Sequence, residues 1–78
     1  MITARLARIF AKAFALDPSE FNHGILHGDL KKWDSIGHMA MVAAMEKEFK
    51  VEFDVDEIME MQSVAEIIVV LTRKGVTD

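Results

Sequence analysis

Apolar residues recur every three or four positions in three stretches of this chain, and that spacing restricts the fold more than any other feature. Such spacing puts the apolar side chains on one face of a helix. The positions are Leu6, Ile9, Phe10 and Phe14, then Met39, Val42, Met45 and Phe49, and finally Val64, Ile67, Ile68 and Leu71. Val69 and Val70 extend a run that would also suit a strand, but no second strand candidate exists to pair with it. The pattern therefore predicts an all-α fold.

Local signals predict where the two longer helices begin. The first is expected over residues 3–15 with Thr3 as its N-cap, and the longest over residues 35–49 with Asp34 or Ser35 as its N-cap. A long connection, broken by proline and glycine, separates the two helices.

Two further helices are predicted in the second half of the chain. Residues 54–61 should form one or two helical turns, because Asp56 and Glu57 suit the positive end of a helix dipole. Ser63 and Glu66 fit a capping box that begins the last helix. The result is a small four-helix domain.

Length and composition exclude several classes of protein. The chain has 78 residues, which suffices for one small domain over residues 1–78. It contains no cysteine, which excludes disulfides, thiolate nucleophiles and cysteine-based zinc sites. Its net charge of −4 argues against a nucleic-acid-binding surface, which is normally basic. No apolar run could span a bilayer and no signal peptide is visible, so we expect a monomeric cytoplasmic domain that works through partners.

Acidic residues are concentrated in the middle of the chain. Residues 34–66 contain nine acidic and two basic side chains, whereas residues 1–33 carry a small positive net charge. The simplest interpretation is a set of solvated helix faces. The alternative is an acidic docking surface that attracts a basic partner. Its candidate members are Glu46, Glu48, Asp56 and Glu57.

Patterns for catalysis or metal binding are weak. His23 and His27 are four residues apart, but the glycine after each of them disfavours a helix, so no metal site is predicted. Ser35 has His38 nearby, yet the sequence lacks the first glycine of a nucleophile elbow and the sheet that would carry one. The protein is therefore not expected to be an enzyme.

Ser35, at the start of the second helix, has two candidate roles. As a cap, it would only satisfy free backbone N–H groups of the first turn. As a modification site, it would hold an attached anion, such as a phosphodiester, against the positive end of the helix. The residue types alone leave both roles open.

Three segments resemble a known family. They read WDSIGHM at residues 33–39, MEKEF at 45–49 and VEF at 51–53. With the order of the predicted helices, they resemble the acyl carrier protein family, whose Asp-Ser-Leu signature here has Ile36 in place of leucine. The resemblance covers nearly the whole chain. It implies a bundle of three longer helices and one short helix, with a long first loop.

The resemblance also implies a prosthetic group and roles for several residues. Ser35 would carry 4′-phosphopantetheine, installed from coenzyme A by a phosphopantetheinyl transferase, and Asp34 would help that enzyme to bind magnesium. The thiol of the group would hold acyl intermediates as thioesters, which fits the absence of protein cysteine. Acyl-loading and acyl-transferring enzymes are the implied partners, and the acyl chain would enter between the second and third helices. Contacts with the arm or with partners are implied for Ile36, Met39, Met41 and Met61.

One departure from the family bears on the partners. Members that serve ordinary fatty-acid synthesis usually have acidic residues in the first turns of the second helix, whereas residues 36–44 contain none. We therefore expect a more apolar docking surface beside Ser35. This favours a specialised stand-alone carrier in a fatty-acid, polyketide or related pathway.

Two alternatives stay open at this point. An aminoacyl, peptidyl or D-alanyl carrier protein would share the fold and the modified serine, and would differ only in its loading enzyme. A helical protein–protein adaptor would carry no prosthetic group, and Ser35 would then be only a cap.

Overall fold

A computed structural model describes residues 2–77 and contains four α-helices. Helix α1 spans Ile2–Phe14, α2 spans Ser35–Phe49, α3 spans Val55–Glu60 and α4 spans Val64–Arg73. Two short 3-10 turns, Pro18–Glu20 and His27–Asp29, lie in the connection between α1 and α2. Within residues 2–77 the only β-type pairing is one isolated bridge between Leu26 and Ser63. The prediction of a small all-α bundle of the acyl-carrier type is confirmed.

The ends of the helices agree with the sequence signals except in α1, which ends at Phe14, one residue before the predicted end, because Ala15 has a left-handed φ of 53°. Helix α2 has the predicted bounds, and α3 lies inside the predicted residues 54–61. Helix α1 already includes Ile2, so Thr3 lies within the helix and the prediction that it is the N-cap is wrong. Ser63 does cap α4, since its hydroxyl oxygen accepts the N–H of Glu66 at 3.1 Å.

The core is a single apolar cluster that surrounds one tryptophan. Trp33 is only 1% exposed, and its ring lies 5.1 Å from the ring of Phe10 and 5.5 Å from that of Phe14. Burial of apolar area of this kind is the main stabilising contribution in a small domain. The fully buried side chains from the helices are Leu6, Phe10, Met41, Met45, Val64, Ile67, Val70 and Leu71.

The long connection between α1 and α2 is hydrogen-bonded to the segment between α3 and α4. The N–H of His27 donates to the carbonyl of Gln62 at 2.8 Å, and the N–H of Val64 donates to the carbonyl of Ile25 at 3.0 Å. These bonds join the connection to the junction of α3 and α4. They also hold the N-terminal end of α2 near α3.

Helix α3 has no fully buried residue and packs against the core through the partly buried Ile58. Its first turn has a reciprocal capping box, in which Asp54 and Glu57 each accept the other's backbone N–H. Glu57 also forms an ion pair of 2.8 Å with Lys74, at the end of α4. The helix is therefore attached by one apolar contact and by polar bonds, beside the site described next.

Candidate functional site

Ser35 is the first residue of α2, and its side chain is exposed. The N-cap is Asp34, whose Oδ1 accepts the N–H of Gly37 at 2.8 Å. Asp34 thus has the capping role that the sequence left open between these two residues. Among the side-chain hydrogen bonds of residues 2–77, none uses the Ser35 hydroxyl. That hydroxyl is therefore accessible and has no structural bond to lose.

The first turn of α2 provides a favourable setting for an anion. The N–H of His38 donates to the carbonyl of Asp34 at 2.7 Å, whereas those of Ser35 and Ile36 have no acceptor in the described part of the chain. Unpaired donors give a helix N-terminus its partial positive charge. A phosphodiester attached to Ser35 would be stabilised by this end of the helix.

Exposed apolar side chains surround the serine on two helices. Ile36 is 83% exposed and Met39 is 51% exposed on α2, and Met59 is 67% exposed on α3. Contiguous apolar exposure marks an interaction surface more often than scattered single residues do. The position of Ile36 and Met39 is compatible with the predicted contacts to an arm or a partner, which stay predictions.

A pocket of about 360 Å³ lies beside Ser35, between α2 and α3. Its apolar wall is formed by Met39, Ile58 and Met59, and its polar members include His27 and Gln62. This is the region in which the family resemblance expects the acyl chain to lie.

His38 links three parts of this site. Its Nδ1 accepts the indole N–H of Trp33 at 2.8 Å, and its Nε2 lies 2.8 Å from the carbonyl oxygen of Ile58. An indole nitrogen only donates, so the imidazole proton lies on Nε2 and is donated to Ile58. Because both ring nitrogens are occupied, His38 cannot act as a general base for Ser35. The geometry therefore contains no serine–histidine catalytic pair.

Gly37 lets the preceding loop cross the start of α2 at very short range. A side-chain carbon at this position would collide with the carbonyl oxygen of Lys32 and would lie 3.1 Å from the ring of Phe14. The sequence suggested only a poor helix former at this position. Its close approach to Lys32 fixes how the loop delivers Asp34 and Ser35 to the surface.

Met41 and Met61 do not lie on the surface of the site. Both side chains are 0% exposed and belong to the apolar core. Both residues pack in the interior of the unloaded protein, and the contact with an arm or a partner that the resemblance implies for them stays a prediction. An apolar residue of α2 at helical spacing can face either the core or the surface. The sequence alone does not show which of these positions it takes.

The acidic residues of α2 are already used within the molecule. The Nε of Arg5 donates to Glu48 at 2.8 Å, and this hydrogen bond lowers the pKa of the Glu48 carboxyl. Glu46 accepts the N–H of Phe53 at 3.0 Å and so fixes the chain after α2. Neither carboxylate is an isolated charge on a partner-facing surface.

Of the two candidate acidic residues of α3, one is bonded within the molecule and the other is not. Glu57 is held by Lys74 and by the N–H of Asp54, and these bonds lower the pKa of its carboxyl. Asp56 is exposed and has no side-chain bond within residues 2–77. Of the four residues of the predicted acidic docking surface, Asp56 is the one without such a contact among the described residues, and the docking role of all four stays a prediction.

Sequence reasoning missed the link between Trp33 and His38. The signal for it was an indole N–H and an imidazole five residues apart across a helix start, a pair that must find partners when buried. The partner of His38 on α3, the carbonyl of Ile58, had no sequence signal.

Comparisons with known proteins agree with this geometry. The family model described as a phosphopantetheine attachment site matches residues 4–70, which is most of the chain. Searches of curated proteins and of solved structures give no significant match. Within residues 2–77, no helix is both long and apolar enough to cross a membrane. No group of three or more metal-ligating side chains in those residues could hold a metal ion.

Proposed function

Because the chain belongs to the family of proteins with a phosphopantetheine attachment site and is a carrier for covalently bound 4′-phosphopantetheine, we propose that Ser35 is the attachment residue. The observation that carries this proposal is the division of roles at the start of α2. Asp34 caps the helix, so Ser35 has no structural task, yet its hydroxyl is exposed at the positive end of the helix. We also propose that residues 1–78 form one carrier domain.

The surroundings of Ser35 suit the prosthetic group in two ways: the helix end is partly positive, and the hydroxyl is exposed. The unpaired N–H groups of the first turn of α2 would stabilise the phosphodiester. When bound, the group supplies a flexible arm with a terminal thiol that holds cargo as a thioester. In its installation, the Ser35 oxygen would lose its proton and replace the adenosine bisphosphate half of coenzyme A on phosphorus.

We propose that Asp34 assists the installation. Only its Oδ1 is committed, to the N–H of Gly37, which leaves the second carboxylate oxygen exposed beside Ser35. Carboxylate oxygens are the ligands that Mg²⁺ prefers, so this oxygen could complete the magnesium site of a phosphopantetheinyl transferase.

An acyl group is the cargo that we propose, in a specialised fatty-acid, polyketide or related pathway. The supporting observation is the apolar wall of the adjoining pocket, formed by Met39, Ile58 and Met59. His27 and Gln62 in the same pocket favour a second candidate, an aminoacyl or peptidyl carrier, since they could bind a polar cargo. In both cases the chain serves enzymes and does not itself catalyse a reaction.

The test is the mass of the protein after incubation with coenzyme A, magnesium and a broad-specificity transferase. The wild type should gain one phosphopantetheinyl group, and Ser35→Ala should gain none. Ser19→Ala is the matched control, because Ser19 is also exposed but lies in a 3-10 turn of the first connection. Asp34→Ala should slow the modification.

Stability measurements separate a lost attachment site from a lost fold. Ser35→Ala should change the free energy of unfolding by less than about 0.5 kcal/mol, whereas Asp34→Ala should lower it by about 1 kcal/mol. The proposal fails if no transferase modifies the wild type, or if Ser35→Ala is still modified. The first of these results would favour the adaptor alternative.

A further inference from the structure

A second groove lies between α1 and α2 and shares no lining residue with the pocket beside Ser35. It has a volume of about 550 Å³, within the range of roughly 300–1,000 Å³ typical of binding clefts. Its floor is apolar and made of small or recessed side chains. They are Ile9 and Ala13 from α1 and Ala40 and Ala44 from α2.

The rim of this groove is basic. Arg8, Lys12 and Lys47 stand along it and are exposed. The rim also contains Glu48, but that carboxylate is held by Arg5 through bonds of 2.8 Å to its side chain and to its backbone carbonyl. The ion pair cancels one positive and one negative charge, and the remaining three cations give the groove a net positive charge.

The three cations form almost no interactions within the described part of the molecule. Among residues 2–77, Lys12 and Lys47 form no hydrogen bond or ion pair, and Arg8 acts only through its charge on Glu48. Arg5, in contrast, also lies over the ring of Phe49 at 4.6 Å and is part of the packing. The chain has a net charge of −4. The three unpaired cations give the surface around this apolar groove the opposite, positive charge.

We propose that the α1–α2 groove binds an acidic amphipathic helix of a partner protein. Helices commonly bind by laying an apolar face into a groove between two other helices. The pairs Ile9 and Ala13, and Ala40 and Ala44, are each four residues apart, so their rows leave a channel that a ridge of side chains can enter. The basic rim matches acidic residues on both sides of that ridge.

The shape of the groove favours a helical partner over a lipid surface. A helix that inserts into a bilayer interface presents protruding aromatic or large aliphatic side chains. Here no large apolar side chain protrudes: Ile9 is only 9% exposed, and the other floor residues are alanines. A recessed floor receives a convex helix and gives a flat membrane little to contact.

A designed peptide tests the proposal directly. The probe is a helical peptide of about 18 residues with leucine at positions i, i+4, i+7 and i+11 and glutamate on both flanks. In NMR titrations of the unmodified protein, amide shifts should be confined to α1 and α2 around Ala13, Ala40 and Ala44. A scrambled peptide of the same composition, and one with lysine in place of glutamate, should not bind.

Charge reversal provides the matched control. The variant Arg8→Glu/Lys12→Glu/Lys47→Glu should weaken binding about tenfold or more, and binding should also weaken with salt, which screens exposed charges. The variant Lys31→Glu/Lys32→Glu/Lys50→Glu has the same net charge and reverses exposed lysines outside the groove. It should bind the peptide like the wild type.

Five results would overturn the proposal. Three concern the peptide: no binding of the acidic peptide, equal binding of the scrambled peptide, and equal loss in both triple variants. The fourth is binding of anionic phosphatidylglycerol vesicles through the groove in place of the peptide. The fifth is self-association that the groove variant abolishes, which would assign the groove to a second copy of this chain. The experiment does not depend on the prosthetic group, because Ser35→Ala should bind the peptide unchanged.

Discussion

At the scale of single residues, Gly37 determines how the exposed serine is delivered. It lies in the first turn of α2, where glycine is a poor helix former, and the loop carbonyl of Lys32 fills the space that a side chain would need. The glycine therefore has a packing role between the loop and the helix, which outweighs its poor helix propensity.

Gly37→Ala should lower the free energy of unfolding by about 1–3 kcal/mol, because overpacking against backbone forces the loop to move. Alanine is the better helix former by about 1 kcal/mol, so helix propensity alone predicts the opposite sign. Urea denaturation measures the difference. Gly28→Ala is the matched control, because a side-chain carbon there would meet no atom within 4 Å. Equal stability of the two variants would show that the loop can yield at Gly37.

The sequence predicts local capping at this scale better than it predicts packing. The position of Asp34 and Ser35 at a helix start follows from local residue types, whereas their chemical roles stay predictions. The packing at Gly37 is not evident, because it depends on where the loop places Lys32. Met41 could not be assigned to the core from the sequence, because an apolar stripe that is wide enough to bury residues is also wide enough to expose some.

At the scale of elements, the helices follow from local signals, whereas the surface they form does not. The capping residues and the apolar spacing of α2 predicted both of its ends, because capping and helix periodicity are local properties. The acidic residues were predicted as one surface, but Glu48 bonds to Arg5 of α1 and Glu57 to Lys74 after α4. Such partners come from distant parts of the chain, so a run of like charges does not reveal how many of its members stay free.

The ion pair between Glu57 and Lys74 predicts a pH dependence for the attachment of α3 to α4. The bonds to Lys74 and to Asp54 lower the pKa of Glu57 from its ordinary value of 4.5. A carboxyl whose pKa is lowered on folding stabilises the fold above its ordinary pKa, and this contribution disappears as pH falls through the lowered pKa. The pair should therefore stabilise the protein at neutral pH and not in acid.

The measurement is the Tm of wild type and of Lys74→Met between pH 7 and pH 3. The variant should melt below the wild type at pH 7, and the gap should close on acidification. Lys31→Met is the control, because Lys31 is exposed and forms no ion pair among the described residues, so its Tm should follow that of the wild type. A gap that stays constant down to pH 3 would show that Glu57 does not titrate as part of this pair.

At the scale of the whole molecule, two separate surfaces share one core. The pocket beside Ser35 lies between α2 and α3, and the basic groove lies between α1 and α2. Helix α2 contributes to both, so a partner could occupy the groove while the attached group stays accessible on the other side. This arrangement requires the core to keep α2 fixed relative to α1 and α4.

Trp33 gives a test of that requirement, since it is nearly fully buried at the centre of the cluster and is the only tryptophan. The core is a single cluster with residues from α1, α2, α4 and all three connections between the helices, so we expect one cooperative transition. A domain of this length should have a free energy of unfolding of about 4–12 kcal/mol. In guanidinium chloride, loss of the blue-shifted Trp33 emission and loss of helical circular dichroism should coincide. If helical signal persisted after Trp33 became exposed, some helices would be stable without the core, and α2 would not be rigidly held between the two surfaces.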